Sequence, residues 1–209
     1  MKNPSASSVE AAWQWVSPTL RMAEMYYSRN GLPIDEDLSF NYNGRYNITT
    51  VPGDRRDYAQ PGLKTAYLHL DREPRFYSSI GFDTGQYRGW GELWTLRMRK
   101  GQTHGRIAQT SDYLITGYAL KKLIHPDSEG DNYEKVIRYP WPNARLSELY
   151  LNYAEAMNEA YGPSQEVYDA LNYVRARAGI PDVEDIWSNS FIAKTPNKHT
   201  SQDGLREII

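Results

Sequence analysis

A pair of helix patterns within Pro140–Asp182 constrains the fold of this chain more than any other sequence feature. Gly162 and Pro163 separate the two patterns, because glycine tolerates left-handed backbone and proline cannot continue a helix. Ser164 is then a favourable N-cap for the second helix. The apolar residues recur at i, i+3, i+4 and i+7: Leu146, Leu149, Tyr150, Tyr153, Ala154 and Met157 in the first helix, and Val167, Leu171, Val174 and Ala178 in the second. The short connection predicts an antiparallel αα-hairpin.

The middle of the chain carries patterns that are typical of strands. Arg75–Phe82 alternates between two sets of side chains, and the alternation resumes over Trp94–Met98. The Gly-rich stretch between them predicts a β-hairpin with a long aromatic tip. A third short strand is predicted at Tyr113–Leu120.

The rest of the chain completes the predicted fold class. Residues 9–30 predict a helix that breaks at Ser17-Pro18, and residues 35–66 predict a long loop. Asp203–Ile209 has the pattern of a third helix that has just begun. We therefore expect a mostly α, α+β fold, in which an αα-hairpin accompanies a small antiparallel β-hairpin and long loops.

Composition excludes several classes of function. The chain has 24 basic and 26 acidic residues and a net charge of −2, which gives no support for nucleic-acid binding. It contains no cysteine, so disulfides, zinc–thiolate sites and thiol catalysis are excluded. Its apolar runs are too short to predict a membrane-spanning helix.

Several stretches of the chain resemble the SusD/RagB family in their residue sequence as well as in their apolar periodicity. RLSELYLNYAEAMNEA (Arg145–Ala160) and NYVRARAGIPD (Asn172–Asp182) are similar to the family's carboxy-terminal hallmark. Three further stretches follow the family's order: LRMAEMYYSRNGLPIDED (Leu20–Asp37), LHLDREPRFYSSIGFDTG (Leu68–Gly85) and TGYALKKLIHPD (Thr116–Asp127). Together the five stretches make a specific signal, whereas an amphipathic helix pair alone would not.

The resemblance implies a location, a ligand and a partner. Family members are surface lipoproteins of Bacteroidetes that capture glycans and hand oligosaccharide to a TonB-dependent transporter at the outer membrane. They begin with a lipid-bearing cysteine and a tetratricopeptide-like half, neither of which this sequence contains. We therefore expect residues 1–209 to be one domain, a partial SusD-like C-terminal region that lacks the N-terminal half and the extreme C-terminus. Contact with the membrane would then be made only through a lipid anchor outside this chain.

The predicted glycan-binding site is the tip of the β-hairpin, formed by Tyr87, Arg88, Trp90 and Trp94. The chain has 17 Tyr and 6 Trp against 4 Phe, and these two residue types combine an apolar face with a polar group. Such rings stack on the C–H faces of sugars, and the polar groups hydrogen-bond to the hydroxyls. Core packing of the two tryptophans is the alternative interpretation of the same residues.

The sequence favours a binding protein over an enzyme, and no cofactor or metal site is predicted. No GxSxG, HExxH, P-loop or GxGxxG motif occurs. The acidic turn around Asp127 has calcium-like spacing, but Arg138 stands where a calcium loop needs glutamate. Two alternatives stay open: a protein- or peptide-binding module of the same uptake complex, and a glycoside hydrolase that uses a carboxylate pair such as Asp35 and Asp37.

Overall fold

The predicted helix pair is present and forms the largest helical element of the chain. In a computed structural model of the protein, helix α3 spans Leu146–Tyr161 and α4 spans Gln165–Ala178. Gly179 ends α4 in the left-handed conformation, with φ 71°, which glycine adopts without a Cβ penalty. Ser164 occupies the N-cap position as expected, although its hydroxyl makes no capping hydrogen bond.

The structure describes residues 17–89, 92–106, 113–122, 125, 127–128, 137–138, 140 and 142–209. The helices of these residues, besides α3 and α4, are α1 (Leu20–Met25), α2 (Pro74–Ser79), α5 (Val183–Ser188) and α6 (Gln202–Ile208). The strands are β1 (Ile48–Thr50), β2 (Lys64–Ala66), β3 (Ile80–Gly81), β4 (Gln86–Gly89), β5 (Glu92–Thr95) and β6 (Ala119–Leu120). The described chain is therefore mostly helical with small antiparallel sheets, as predicted.

The chain divides into two compact units. Unit 1 comprises residues 1–24, 43–70 and 76–140, and unit 2 comprises residues 25–42, 71–75 and 141–209. In unit 1 the strands pair antiparallel as β1 with β2, β3 with β6 and β4 with β5. The expectation that residues 1–209 form one partial domain stays a prediction.

Unit 1 has an aromatic core in place of a large sheet. The Phe76 and Phe82 rings are stacked with centroids 5.6 Å apart, and the His69 ring lies 4.6 Å from that of Phe82. Ile80 and Leu96 are fully buried within the same unit. Burial of these large side chains supplies the hydrophobic stabilisation that its short strands alone could not provide.

Unit 2 is built around the helix pair. Its buried apolar residues come from the 25–42 segment and from α3 to α6, and they include Leu32, Val167, Leu171, Trp187 and Leu205. Arg175 on α4 is also buried, and its guanidinium donates to the carbonyl oxygens of Pro181 at 2.6 Å and Gly31 at 2.8 Å. A buried charge thereby satisfies two backbone acceptors inside this unit.

The predicted strand at Arg75–Phe82 was wrong over most of its length. The chain forms helix α2 from Pro74 to Ser79, and only Ile80–Gly81 is a strand. Proline suits the first turn of a helix, where its missing N–H costs no hydrogen bond. Phe76, Tyr77 and Ile80 are all buried, which is the i, i+1, i+4 spacing of a helix face and which strict alternation does not explain.

The β-hairpin exists, but its strands differ from the predicted ones. Strand β4 lies in the stretch that was assigned to the loop tip, and it pairs with β5 from Gln86↔Thr95 to Gly89↔Glu92. The third predicted strand is confirmed only at Ala119–Leu120, which pairs with β3. The long loop at 35–66 is largely irregular as expected, although it contains β1, which pairs with the β2 strand at its end.

The terminal predictions have mixed outcomes. The third helix near the C-terminus is confirmed as α6. The helix predicted at residues 9–30 is confirmed only as α1. Residues 26–30 are not helical, and residues 9–16 lie outside the described part of the chain. The break at Ser17-Pro18 agrees with the start of α1 at Leu20.

Candidate functional site

The β4–β5 hairpin brings Tyr87 and Trp94 together as directly opposed residues of an antiparallel ladder. Opposed side chains share one face of the sheet, with Cβ atoms about 5 Å apart. Arg88 pairs with Leu93 and therefore lies on the opposite face. Trp90, the fourth residue of the predicted site, lies outside the described residues.

The two aromatic side chains differ in their exposure to solvent. Tyr87 is 6% exposed, whereas Trp94 is half-buried and Glu92 on the same face is exposed. Burial raises the pKa of the Tyr87 phenol above its ordinary value, so its hydroxyl stays protonated at neutral pH. Trp94 is thus the described aromatic of the predicted site that retains surface for a ligand.

The opposite face of the hairpin carries a cluster of amides and a hydroxyl. The Thr95 hydroxyl lies 3.3 Å from Oε1 of Gln60 and 3.4 Å from Oε1 of Gln86, and the Gln86 amide lies 3.4 Å from the same Gln60 oxygen. These are long hydrogen bonds at the limit of useful geometry. Because the bonds are weak, the exposed Gln60 amide and the half-buried Thr95 hydroxyl can exchange partners with the hydroxyl groups of a ligand, whereas Gln86 is buried.

Gln60, Gln86 and Thr95 were not predicted from the sequence as parts of a site. Gln60 lies 26 residues before Gln86, and the isolated bridge between Ala59 and Gly85 brings the two segments together. No local sequence pattern signals such a contact.

A stacked tyrosine pair adjoins the amide cluster. The Tyr58 and Tyr77 rings are nearly parallel, with centroids 4.1 Å apart. The backbone N–H of Gln86 donates to the Tyr58 carbonyl at 2.7 Å, which fixes the tyrosine next to β4. Tyr58 keeps 37% of its surface exposed. Tyr58 and the amides of Gln60 and Gln86 thus adjoin strand β4, and none of these three residues was predicted as part of the site.

Lys121 anchors β4 to the end of helix α2. Its ammonium group donates to the carbonyl oxygens of Tyr77 at 2.6 Å and Gln86 at 2.8 Å. Burial lowers the pKa of Lys121 to about 8. The lysine therefore links the backbone at Tyr77, a member of the tyrosine pair, to the backbone at Gln86, a member of the amide cluster.

The basic residues that follow the hairpin have structural partners. Nε of Arg99 lies 2.7 Å from an Asp83 carboxylate oxygen, and the same guanidinium donates to the Lys64 carbonyl. Nδ1 of His104 accepts the backbone N–H of Arg97 at 2.9 Å. These contacts fix the chain after β5.

No group of three or more His, Asp or Glu side chains that could hold a metal ion occurs in the described part of the chain. Among the same residues, no helix has the length and the apolar character needed to cross a membrane.

Comparison with known proteins identifies a family. The model of the SusD family matches residues 2–209. The solved structure of BT4246 is 33% identical, with a TM-score of 0.65 over 82% of this chain and 28% of its own. Its selenomethionine form gives 34% identity and a TM-score of 0.66 over 80% of this chain and 29% of its own. A search of curated proteins returned no match.

A more distant structure agrees in fold. A SusD-like protein (BF3747) from Bacteroides fragilis NCTC 9343 is 22% identical, with a TM-score of 0.54 over 94% of this chain and 32% of its own. The chain thus spans less than a third of the length of each of these structures. The family match over nearly the whole sequence confirms the resemblance of the five stretches, and the chain belongs to the SusD family.

Proposed function

We propose that the chain is a non-catalytic glycan-binding protein of a nutrient-uptake system. It acts at the external surface of the outer membrane and delivers oligosaccharide to a TonB-dependent transporter. Membership of the SusD family supports the general role. The observation that carries the proposal for the site is the β4–β5 hairpin, which has the half-buried Trp94 on one face and the exposed Arg88 on the other.

In this proposal one face of the hairpin stacks on a sugar ring and the other face donates hydrogen bonds to sugar hydroxyls. Trp94 stacks on the apolar C–H face of a sugar ring, and the buried Tyr87 supports the tryptophan across the ladder. On the other face Arg88 donates hydrogen bonds to sugar hydroxyls. Each contact is weak, and simultaneous binding of several sugar units of one oligosaccharide raises the overall affinity. The role of Trp90 stays a prediction from the sequence.

The proposal is tested by retention of the protein on a panel of native polysaccharides, with assay of released reducing ends. Trp94→Ala should reduce retention about fivefold or more, since loss of one aromatic contact costs on the order of 1–3 kcal/mol. Tyr161→Ala, which removes a 77% exposed aromatic in unit 2, is the matched control and should bind as the parent does. Release of reducing ends by the parent would instead support the glycoside hydrolase hypothesis.

A second candidate function is protein interaction through the helix pair, and the surface of α3 favours it. Leu146, Leu149 and Tyr153 are 65%, 60% and 49% exposed although they lie on the apolar stripe of the helix. Leu149→Lys should then weaken binding to the purified transporter while leaving glycan retention unchanged. Phe191→Lys, at a residue 91% exposed in the same unit, is the control.

A further inference from the structure

Unit 2 contains a pocket that the family match and the predicted site do not assign. Its volume is about 380 Å³, and it is formed by the segment from Arg29 to Phe40 together with Asp71 and Ile192. We call it the loop pocket. Its volume lies at the small end of the roughly 300–1,000 Å³ typical of pockets for small organic ligands.

Backbone hydrogen bonds fix the frame of the loop pocket. The N–H of Arg29 donates to the Asp71 carbonyl at 2.8 Å, and the N–H of Leu38 donates to the Ile192 carbonyl at 2.8 Å. A β-bridge between Asp37 and Ala193 adds a second link to the same wall. The three segments that form the pocket are therefore held together before any ligand binds.

One wall of the pocket is a hydrogen-bonded triad of side chains. Buried Asp37 accepts from the Ser39 hydroxyl at 2.6 Å and from the Asn30 amide at 2.9 Å. The Asn30 amide also donates to the Ser39 hydroxyl oxygen at 2.8 Å. Both N–H groups of Asn30 are thus used, and no donor from the described chain reaches its Oδ1. Asn30 therefore offers a fixed acceptor to a ligand.

The other polar groups of the pocket supply donors and a carboxylate. The Arg29 side chain is 60% exposed, and its contact with the described chain is an ion pair with Asp71 at 3.5 Å. Most of its five N–H donors are consequently open to a ligand. Phe40 and Ile192 add apolar surface to the same pocket.

The charge of the lining discriminates between classes of ligand. Asp37 and Asp71 carry two negative charges, Arg29 carries one positive charge, and the guanidinium of Arg72, which lies 5.9 Å from the centroid of the Phe40 ring, adds a second. These charges balance, which favours a neutral ligand over an ionic one. Asp37 already accepts three hydrogen bonds and Asp71 is paired with Arg29, so both carboxylates have partners within the protein. A neutral ligand with several hydroxyls matches the mixture of donors, acceptors and apolar surface.

We propose that the loop pocket binds one neutral sugar ring, as a second glycan-binding site separate from the hairpin of unit 1. The class of ligand rests on the proposed function, whereas the location rests on the geometry of the pocket. Arg29 donates to one hydroxyl, Asn30 and Asp71 accept from others, and the half-buried Ile192 contacts the C–H face.

The test is a titration of the chain with glucose, galactose, mannose and N-acetylglucosamine, followed by two-dimensional amide NMR. The expected result is saturable shifts at Asn30 and Asp71 with at least one of these sugars. Asp71→Asn should weaken that binding about tenfold or more, because hydrogen bonds to charged groups are the stronger ones. Asparagine tolerates the positive φ of 53° at this position, so the variant keeps the backbone. Asp185→Asn, an exposed site in the same unit, is the control.

The outcomes separate this proposal from the proposed function. Absence of pocket shifts with all four sugars would overturn the loop pocket as a sugar site, even if Arg88 and Trp94 shift and the hairpin proposal stands. Pocket shifts without hairpin shifts would support the loop pocket alone. Tighter binding of glucuronate than of glucose would overturn the assignment of a neutral ligand.

Discussion

Tyr87 and Trp94 oppose each other in the β4–β5 ladder, yet only Trp94 keeps a substantial part of its side chain exposed. The pair separates a structural role from a binding role within one site. Tyr87→Ala should destabilise the protein by about 3–5 kcal/mol, as other deletions of buried aromatic side chains do. Tyr87→Phe keeps the ring and should cost less than about 1 kcal/mol. Urea unfolding measures both, and equal stability of Tyr87→Ala and the parent would contradict burial of this ring.

Lys121 predicts a pH dependence of stability in the alkaline range. Its pKa is about 8 in the folded chain and 10.5 ordinarily, so between these values the unfolded state binds more protons. The free energy of unfolding then rises with pH over this window, by up to about 1.4 kcal/mol per pH unit from this group. Below pH 8 Lys121 is protonated in both the folded and the unfolded state, so its contribution to the unfolding free energy does not change with pH.

The measurement compares the parent with Lys121→Met from pH 7 to pH 10. As the pH rises above 8, the unfolding free energy of the parent should increase relative to that of Lys121→Met. Lys100→Met, at an exposed lysine of the same unit, is the control. A pH-independent difference for Lys121→Met would contradict burial of the ammonium group.

The hydrogen bonds around His69 fix its tautomer. The Thr65 hydroxyl donates to the Asp83 carbonyl at 3.0 Å, so toward His69 its oxygen accepts the proton on Nδ1 at 2.7 Å. Nε2 then accepts from the Tyr118 hydroxyl at 2.9 Å. We expect nitrogen NMR to show a proton on Nδ1 that is shared with Thr65, and a ring protonated only at Nε2 would contradict this network. Tyr118→Phe removes the donor and should cost about 1–3 kcal/mol.

Arg175 should be essential for the stability of unit 2. Arg175→Met removes the hydrogen bonds to the Gly31 and Pro181 carbonyls, and we expect a loss of about 2 kcal/mol or more in unfolding free energy. Arg177→Met removes an exposed arginine from the same helix and should change stability by less than about 0.5 kcal/mol. Equal effects of the two substitutions in thermal or urea unfolding would contradict the structural role of Arg175.

The helix pair could be predicted from the sequence because its signals are local. Apolar periodicity and the Gly162 and Gly179 stops all lie within the element that they specify. Helix α2 was missed because the buried residues of a short helix that begins at Pro74 also fit part of an alternating pattern. Short elements give too few periods to distinguish the two interpretations.

The candidate sites were less predictable because they are assembled from distant segments. The hairpin was expected near Tyr87 and Trp94, but its pairing places Arg88 on the other face, and register cannot be obtained from composition. Gln60 reaches Gln86 through a β-bridge of neighbouring residues. The loop pocket joins residues as far apart as Arg29 and Ile192, which no local pattern connects.

The most direct test of the central claim is calorimetric titration of the chain with the oligosaccharide that is selected by the polysaccharide panel. The parent, Trp94→Ala and Arg88→Met are compared, with Tyr161→Ala as control. If the hairpin is the glycan-binding surface, both hairpin variants lose about tenfold or more in affinity while they remain folded. Unchanged affinity in both hairpin variants, with the parent binding normally, would contradict the assignment of this site.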